Sequence, residues 1–246
     1  MNNRRRTRIA AVLSVVLMSI PVVAQTGGGA IIDEQTGIRT NLLPDLQVLP
    51  PTDLHVVGSR EEGTQRLKFT TTIWNAGRGP LEVRGAANPE TGELEVYQFA
   101  RTADGEMTQV GHVGTFDYEH RHGHLHLSTF ARYQLWSLDD QGNPLAVITE
   151  NHKVGFCLMD IDVIDPERAE GAVYAGCQAE VQGISVGYGD EYVAQLYEQD
   201  LDVSDVPDGD YALVNLANPE SAIRETSYQN NTATVYLRLE AGRLVS

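Results

Sequence analysis

The sequence predicts an all-β fold, with one sandwich-like domain, long loops and little helix. Residues 66–73 alternate between polar and apolar positions, as a half-buried strand does, and residues 211–216 and 232–239 alternate in the same way near the C-terminus. Turn residues such as Asn218-Pro219 lie between these last two segments. Several short strands separated by turns, without a long amphipathic helix, are typical of a β-sandwich.

The alternation in the first of these strands assigns it a buried face. The residues predicted to share that face are Leu67, Phe69, Thr71 and Ile73. Turn chemistry follows in residues 74–80, and Leu81 begins another extended run. Because residues 43–240 contain neither an internal repeat nor a linker, we expect them to form a single domain.

The first 24 residues have the organisation of a secretory signal peptide. Four arginines precede an apolar run over residues 9–23, and small residues stand before a cleavage point after Ala24. The apolar run is short for a membrane span of about 20 residues, so cleavage is favoured over an uncleaved membrane anchor. We therefore expect export to the periplasm, the cell surface or the medium. Residues 25–42, which are glycine-rich and lack periodicity, are predicted to be a flexible leader.

The chain is strongly acidic, with a formal net charge of −16. Removal of residues 1–24 takes away four arginines and no acidic residue, which moves this charge to −20. Such a surface repels nucleic acid and anionic lipid, and it favours cationic amines, basic protein tails and calcium. Solubility alone would account for the same charge. The charge therefore argues against nucleic acid and anionic lipid as partners but does not identify a partner.

Only two cysteines are present, Cys157 and Cys177. In an exported protein, two cysteines separated by a modest loop favour a disulfide over free thiols. A metal site built on them would need more ligands than two sulfur atoms.

Four of the seven histidines fall at alternate positions between residues 120 and 126. They are His120, His122, His124 and His126. Alternate residues of a strand point to one face, so the four imidazoles are predicted to project together, and imidazole is a common ligand of copper and zinc. The alternative is a loose surface tract. Strict alternation, with Leu125 and Leu127 on the opposite face, favours a built metal site.

The geometry of a strand limits how many of these histidines one ion can take. Alternate Cα atoms lie about 6.7 Å apart on a flat strand, whereas metal–nitrogen bonds are about 2 Å long. Three ligands converge only if the strand bends, and Gly123 is the residue type that permits a bend. One histidine is then left outside the coordination sphere or serves as an alternative ligand, and three imidazoles leave zinc, iron and copper open.

The histidine run, followed by Phe130 and by Tyr133-x-Leu135, resembles the copper-binding segment of the lysyl oxidase family. Three further segments resemble that family in the same order along the chain. They are residues 152–158, similar to the cofactor-lysine segment; Cys177 with residues 182–192, similar to the cofactor-tyrosine segment; and residues 218–231, similar to a segment near the family's C-terminus. The four segments occur in the family's order within residues 44–239, the whole region expected to fold.

The resemblance implies a copper-dependent amine oxidase. In this chain His122, His124 and His126 would hold the copper, which leaves His120 as the outer or alternative ligand. Lys153 and Tyr192 match the two side chains that the family cross-links into lysine tyrosylquinone, its built-in organic cofactor. Primary amines, with peptidyl-lysine among the candidates, would be oxidised by O2 to aldehydes with release of hydrogen peroxide and ammonia.

Several residues around this constellation are less specific. The reaction needs a general base, and Asp190, two residues before Tyr192, is our candidate, although a carboxylate in a turn would look the same. Tyr188 and Tyr197 are rival tyrosines, but only Tyr192 stands at the matching step of the segment. The animal enzymes carry further cysteines that this chain lacks, as at Tyr188 and Glu198.

Analogy with the family also suggests a calcium site made of oxygen ligands. The candidate ligands are Asp45, Glu225, Asn230 and Asn231. Ser227 replaces an acidic residue of the family in this loop, and a structural Asn-rich turn is the alternative. For the whole chain, the alternatives to an amine oxidase are an exported copper-binding β-sandwich without catalysis and an adhesion module. Neither alternative requires Lys153 and Tyr192 in their matched contexts.

Overall fold

The computed structural model describes residues 40–102, 104–121, 123–177 and 181–245, and only the backbone of residues 40–41 and 152–154. The predicted signal peptide and most of the predicted leader lie outside the described residues. Within the described ranges the chain forms sixteen strands and no helix. Accordingly, the described part of the chain offers no helix that is long and apolar enough to span a membrane.

In the first half of the chain the strands are β1 (Thr40–Leu42), β2 (Leu46–Val48), β3 (Thr52–Val57), β4 (Arg66–Asn75), β5 (Leu81–Ala87), β6 (Leu94–Thr102), β7 (Met107–Glu119) and β8 (His124–Leu138). In the second half they are β9 (Pro144–Phe156), β10 (Asp162–Val163), β11 (Gln182–Ile184), β12 (Tyr188–Tyr192), β13 (Asp200–Asp202), β14 (Gly209–Ala217), β15 (Thr232–Glu240) and β16 (Arg243–Val245).

These strands form two antiparallel sheets. The larger sheet has ten strands in the order β11-β5-β6-β7-β8-β14-β15-β16, with β1 added beside β6 and β9 beside β8. The smaller has six strands in the order β10-β12-β4-β13, with β2 and β3 also paired to β4. The architecture confirms the predicted all-β sandwich. The sheet extends past the predicted domain limits at both ends, because β1 and β16 lie outside residues 43–240.

The predicted buried face of residues 66–73 is confirmed in β4, but burial does not alternate throughout, because Thr70 and Thr72 of the other face are also buried. The four residues assigned to its buried face are at most 1% exposed. One of them, Phe69, meets Tyr133 of the larger sheet edge-on, with ring centroids 4.9 Å apart. Burial of a large apolar side chain contributes about 1.5–3 kcal/mol, so contacts of this kind hold the two sheets together.

Strand β8 is irregular where it will matter for the site. Between Leu127 and Ala131 it advances four residues while the paired β9 advances two, from Phe156 to Val154. Within this bulge Thr129 has φ +59°, which is rare for a β-branched residue and strained by about 1–3 kcal/mol. Its hydroxyl donates to the carbonyl of Ser128 at 2.6 Å. The bulge redirects the side chains on either side of it.

Candidate active site

The histidine run does not lie on one continuous strand, which differs from the prediction. His120 lies in the turn between β7 and β8, His124 begins β8, and His122 lies outside the described residues. Gly123 bends the chain as expected, but it does so in a turn with φ +75°, a conformation that glycine adopts without steric cost. His120 is exposed and packs edge-on against Tyr118, with ring centroids 5.1 Å apart.

His124 and His126 face the same point from one side of β8. Their Nε2 atoms lie 2.9 Å apart and their ring centroids 4.9 Å apart. Two nitrogens bound to one ion at about 2 Å each can be at most about 4 Å apart, so this pair fits a shared metal ion. His126 is 9% exposed, which places its ring at the inner end of the pair. The structure thus brings these two predicted ligands together, and their binding of a metal stays a prediction.

The predicted disulfide is confirmed: Cys157 and Cys177 are bonded, with Cα atoms 5.2 Å apart. Both sulfur atoms and a ring nitrogen of His124 lie within 4.8 Å of one another. Sulfur in a disulfide is not the thiolate that binds metals, so the bond borders the histidine pair rather than completing its ligand set. Closing this loop stabilises the fold by about 3 kcal/mol in the chain-entropy model.

Tyr192 lies beside this pair, at the end of β12. Its ring stacks on Phe156 at 3.8 Å and approaches the ring of His126 at 6.3 Å. Its phenol oxygen accepts a hydrogen bond from the backbone N–H of Cys157 at 2.7 Å. The disulfide cysteine therefore also fixes the position of the tyrosine hydroxyl.

Burial raises the pKa of Tyr192 well above its usual value, and the nearby Asp190 raises the pKa further, while the Cys157 amide acts in the opposite direction. The phenol is therefore protonated at neutral pH. Of the rival tyrosines, Tyr188 is buried away from the cleft. Tyr197 lines the cleft but is 47% exposed, and the Arg121 guanidinium lies 3.8 Å from its ring centre.

Lys153 lies on β9, four residues before Cys157. Only its backbone is described, so its cross-link to Tyr192 stays a prediction. The chain has one other lysine, Lys68. The ammonium group of Lys68 is held by Asp200 at 3.1 Å and donates to the carbonyl of Leu196 at 2.8 Å.

A cleft of about 400 Å³ opens over His126 and Tyr192. Three carboxylate residues line it, Asp117, Glu119 and Glu198. Sequence reasoning missed all three, because they come from β7 and from the loop after β12 and form no local motif. Their placement makes the cleft attractive to a cation, which is the charge state of an amine in water.

The wall of this cleft depends on close backbone approach at Gly155. A Cβ atom at this position would lie 2.9 Å from the Cβ of His126, a distance that real side chains do not tolerate. Glycine therefore lets β9 lie directly against the inner histidine. Glu198, on the opposite wall, has φ +62°, an unusual conformation for a glutamate. Uncommon backbone conformations on both sides, at Thr129 and Glu198, are consistent with a functional cleft.

Asp190, the predicted general base, is completely buried and does not line the cleft. Neither of its carboxylate oxygens makes a hydrogen bond of ordinary geometry to a described residue, although the Met159 amide lies near enough to lower the pKa. Loss of hydration dominates and raises the pKa of Asp190 well above its usual range, with Asp160 adding to the effect. Its role as base stays a prediction.

The ionisation of Asp190 is expected to reduce the stability of the fold as the pH rises. Because its pKa is raised in the folded state, the unfolded chain releases this proton first, so the free energy of unfolding falls above the ordinary aspartate range until the folded pKa is reached. The Asp190→Asn protein should lack this fall. Urea denaturation between about pH 4 and pH 8 measures it, with exposed Asp140→Asn as the control. Parallel pH profiles for Asp190→Asn and the wild type would contradict the expectation.

The four predicted calcium ligands are brought together. Both carboxylate oxygens of Asp45 accept hydrogen bonds from the Asn230 side-chain amide, at 3.1 and 3.0 Å. Glu225 accepts one from the Asn231 amide at 2.7 Å and one from the backbone N–H of Leu46 at 2.6 Å. Despite these donors, burial raises the pKa of Glu225 to about 7.

The amide oxygens of Asn230 and Asn231 are buried and make no hydrogen bond to a described residue. Rotation of each side-chain amide that exchanges its oxygen and nitrogen would turn these oxygens toward the two carboxylates. Such an oxygen-rich arrangement fits Ca²⁺, whereas in the present arrangement the amide nitrogens of the two asparagines donate to the carboxylates of Asp45 and Glu225. Calcium binding stays a prediction, which calcium titration calorimetry can check.

Comparisons with known proteins point in one direction. The sequence profile of the lysyl oxidase family matches residues 98–245, a range that contains the histidine run, Lys153, both cysteines and Tyr192. Lysyl oxidase homolog 2 of Gallus gallus is 32% identical over 125 residues, which is 51% of this chain and 15% of that protein. Protein-lysine 6-oxidase of Rattus norvegicus is 30% identical over 125 residues, 50% of this chain and 28% of that protein.

The match to Protein-lysine 6-oxidase of Sus scrofa has the same identity, 30% over 125 residues, and covers 47% of that protein. The chain therefore spans less than half the length of each of these relatives. The family profile, over residues 98–245, covers the part of the chain that carries the candidate site.

Proposed function

This chain belongs to the lysyl oxidase family, and from that premise we propose that it is an exported, copper- and quinone-dependent amine oxidase. The observation that carries the proposal is a pair of facing imidazoles beside a phenol, with the inner imidazole, His126, and the phenol of Tyr192 both lining one acidic cleft. The Nε2 atoms of His124 and His126 lie 2.9 Å apart, and Tyr192 packs against His126. Metal ligands and an oxidisable ring thus meet where a cationic amine would be attracted.

His124 and His126 would hold copper together with His122, while His120 lies in the exposed turn outside this pair. When bound, copper and a quinone formed from Lys153 and Tyr192 would supply the oxidation of a primary amine by O2 and water to an aldehyde, ammonia and hydrogen peroxide. The donor set suits copper because neutral imidazole is one of its preferred ligands. The phenol fits as well, because its ring position is fixed by Phe156 on one side and by the Cys157 amide at its oxygen.

The side chains of this protein would do three things for the reaction. Asp117, Glu119 and Glu198 attract the substrate ammonium into the cleft. Stacking on Phe156 holds the Tyr192 ring in one orientation, so the ring is already in place when the substrate binds. A carboxylate must also accept the α-proton of the substrate. The carboxylate that lies within hydrogen-bond distance of this proton is the one that can act as the base.

Two sets of carboxylates are available for this proton transfer. Asp190 is fully buried outside the cleft, and loss of hydration raises the pKa of its carboxyl well above the usual range, which disfavours the carboxylate that a base requires. The cleft carboxylates are open to a substrate. If Asp190 is the base, Asp190→Asn should lower kcat by about 10²–10⁴-fold; if the base is a cleft residue, kcat should fall comparably in one of Asp117→Asn, Glu119→Gln or Glu198→Gln.

The predicted export agrees with the disulfide, because such bonds persist in oxidising compartments. The proposed substrate is a primary amine, and peptidyl-lysine is one candidate within that class. An exported copper-binding β-sandwich without catalysis is the competing function. It requires the histidines but has no use for Lys153 and Tyr192.

Peroxide release from a primary amine tests the proposal, with Lys153→Arg as the decisive variant. Arginine keeps the positive charge, but its guanidinium is a poor nucleophile, so we expect no cross-link to Tyr192 and no peroxide. Copper content should be unchanged. The matched control is Lys68→Arg, the same exchange at the other lysine, which should retain both cross-link and activity. Peptide mapping by mass spectrometry detects the cross-link, and full activity in Lys153→Arg would refute the quinone assignment.

A further inference from the structure

A second cleft, of about 500 Å³, lies apart from the one described above and shares no lining residue with it. Three arginines line it: Arg78 from the turn after β4, Arg101 from β6, and Arg168 from the segment between β10 and β11. We call it the arginine cleft. Its remaining wall is largely apolar, formed by Leu42, Pro80, Val173, Tyr174 and Val186 among others.

The chain is built tightly around this cleft. The guanidinium of Arg168 donates to the backbone carbonyls of Ala76 and Gly77, which ties its segment to the turn that carries Arg78. The backbone N–H of Arg78 donates to the Leu43 carbonyl at 3.0 Å. A Cβ atom at Gly77 would lie only 2.5 Å from the Asp45 nitrogen, so the turn has no room to shift. The position of Arg78 is therefore fixed by its backbone.

The opposite wall is fixed as well. The Tyr174 hydroxyl donates to the Glu82 carboxylate at 2.8 Å, and a Cβ atom at Gly183 would lie 2.8 Å from the Tyr174 ring. The ring is thus held between an acceptor and the backbone of β11. A cleft whose walls are this constrained needs little ordering when a ligand enters.

Two of the three guanidinium groups are left without a partner. Neither Arg78 nor Arg101 forms an ion pair or a side-chain hydrogen bond with any residue that the structure describes. Some other arginines of this acidic chain are paired, as Arg60 is with Asp208 at 2.8 Å and Arg66 with Asp202 at 2.7 Å. The Arg78 and Arg101 side chains are both solvent-exposed, so water solvates their guanidinium groups, and these donors are available to a ligand that enters the cleft.

We propose that the arginine cleft binds an organic monocarboxylate with an apolar body. Guanidinium groups recognise carboxylates through paired hydrogen bonds, and the apolar wall accounts for the body of the ligand. Glu167 and Glu170 also line the cleft, so three positive charges against two negative ones leave a single positive charge. That balance matches one carboxylate and disfavours a compact dianion such as phosphate. The carboxylate could belong to a free acid or to the C-terminus of a peptide.

Isothermal titration of the copper-loaded protein with 3-phenylpropionate tests this proposal. We expect saturable binding, with the neutral 3-phenylpropanamide and inorganic phosphate binding more weakly. Arg78→Gln and Arg101→Gln should each weaken the carboxylate by about tenfold, since each removes a charged hydrogen-bond donor. The control is Arg243→Gln, an exposed arginine of β16 outside the cleft, which changes the net charge equally and should leave binding intact.

Equal binding of acid and amide, or equal weakening by Arg243→Gln, would overturn the site, as would the absence of saturation. A short peptide with a free carboxyl terminus, compared with its amidated form, separates the two sources of the carboxylate. Tighter binding of the peptide acid than of 3-phenylpropionate assigns a chain terminus, and the reverse order assigns a free acid. None of these readouts uses amine oxidation, so the outcome is independent of the proposed activity.

Discussion

The Tyr192→Phe protein is expected to lose amine oxidation completely while it keeps its copper. Phenylalanine preserves the ring that stacks on Phe156 but lacks the oxygen from which a quinone is made. The quinone cofactor therefore cannot form. The hydrogen bond that the Cys157 amide donates to this oxygen is lost as well, at a cost of about 1–3 kcal/mol for an unsatisfied donor. Activity is measured as peroxide release, the quinone by the visible adduct with phenylhydrazine, and copper by metal analysis.

Tyr197→Phe is the matched control for this experiment. Tyr197 lines the same cleft but is half exposed and lies under Arg121, so loss of its hydroxyl should leave the chromophore and turnover in place. Persistent amine oxidation by Tyr192→Phe, or a wild type that never reacts with phenylhydrazine, would favour the copper-binding module over the oxidase.

His124→Ala is expected to remove copper from the protein altogether. His124 supplies one of two facing Nε2 atoms. Loss of a group that is only hydrogen-bonded to a metal ligand typically lowers metal affinity about 10–100-fold. Loss of a ligand itself should therefore lower copper affinity about 100-fold or more. Because this side chain is only partly buried, the fold should survive the truncation. Copper stoichiometry after dialysis against a chelator is the measurement, followed by phenylhydrazine reactivity, which should be lost in parallel.

The control for copper binding is His112→Ala. This imidazole is exposed and bonds the Glu95 carboxylate at 2.6 Å, outside the histidine pair, so its removal should not change the copper content. If His124→Ala retains one copper per chain, the site assignment fails, whatever the activity of the variant.

Side-chain alternation was sufficient to predict the strands that form the middle of the fold. In β4 the apolar side chains lie on the buried face as predicted, but the other face is buried too at Thr70 and Thr72, which the alternation did not predict. The histidine run is a counterexample. Its alternation is regular, yet the chain turns at Gly123, because a hairpin between β7 and β8 competes with the extended conformation. A local period cannot reveal where the chain reverses.

Features that depend on distant segments could not be predicted in the same way. The acidic cleft draws Asp117 and Glu198 from positions more than 80 residues apart, and the arginine cleft joins three separate segments. The bulge in β8 is set by its register against β9, which a single strand does not encode. The disulfide was predictable because two cysteines allow only one pairing.

The scarcity of lysine has a consequence under the proposed amine oxidase function, should protein lysines be among the substrates. An oxidase of protein lysines is surrounded by copies of itself, and each exposed ammonium group is a target for unwanted conversion to an aldehyde. Here one of the two lysines would be consumed by the cofactor, and the ammonium group of the other is held by Asp200 and a backbone carbonyl. Apart from its amino terminus, the chain then offers a neighbouring copy almost nothing to oxidise. Concentrated stocks incubated in air should therefore accumulate neither carbonyl groups nor intermolecular bridges.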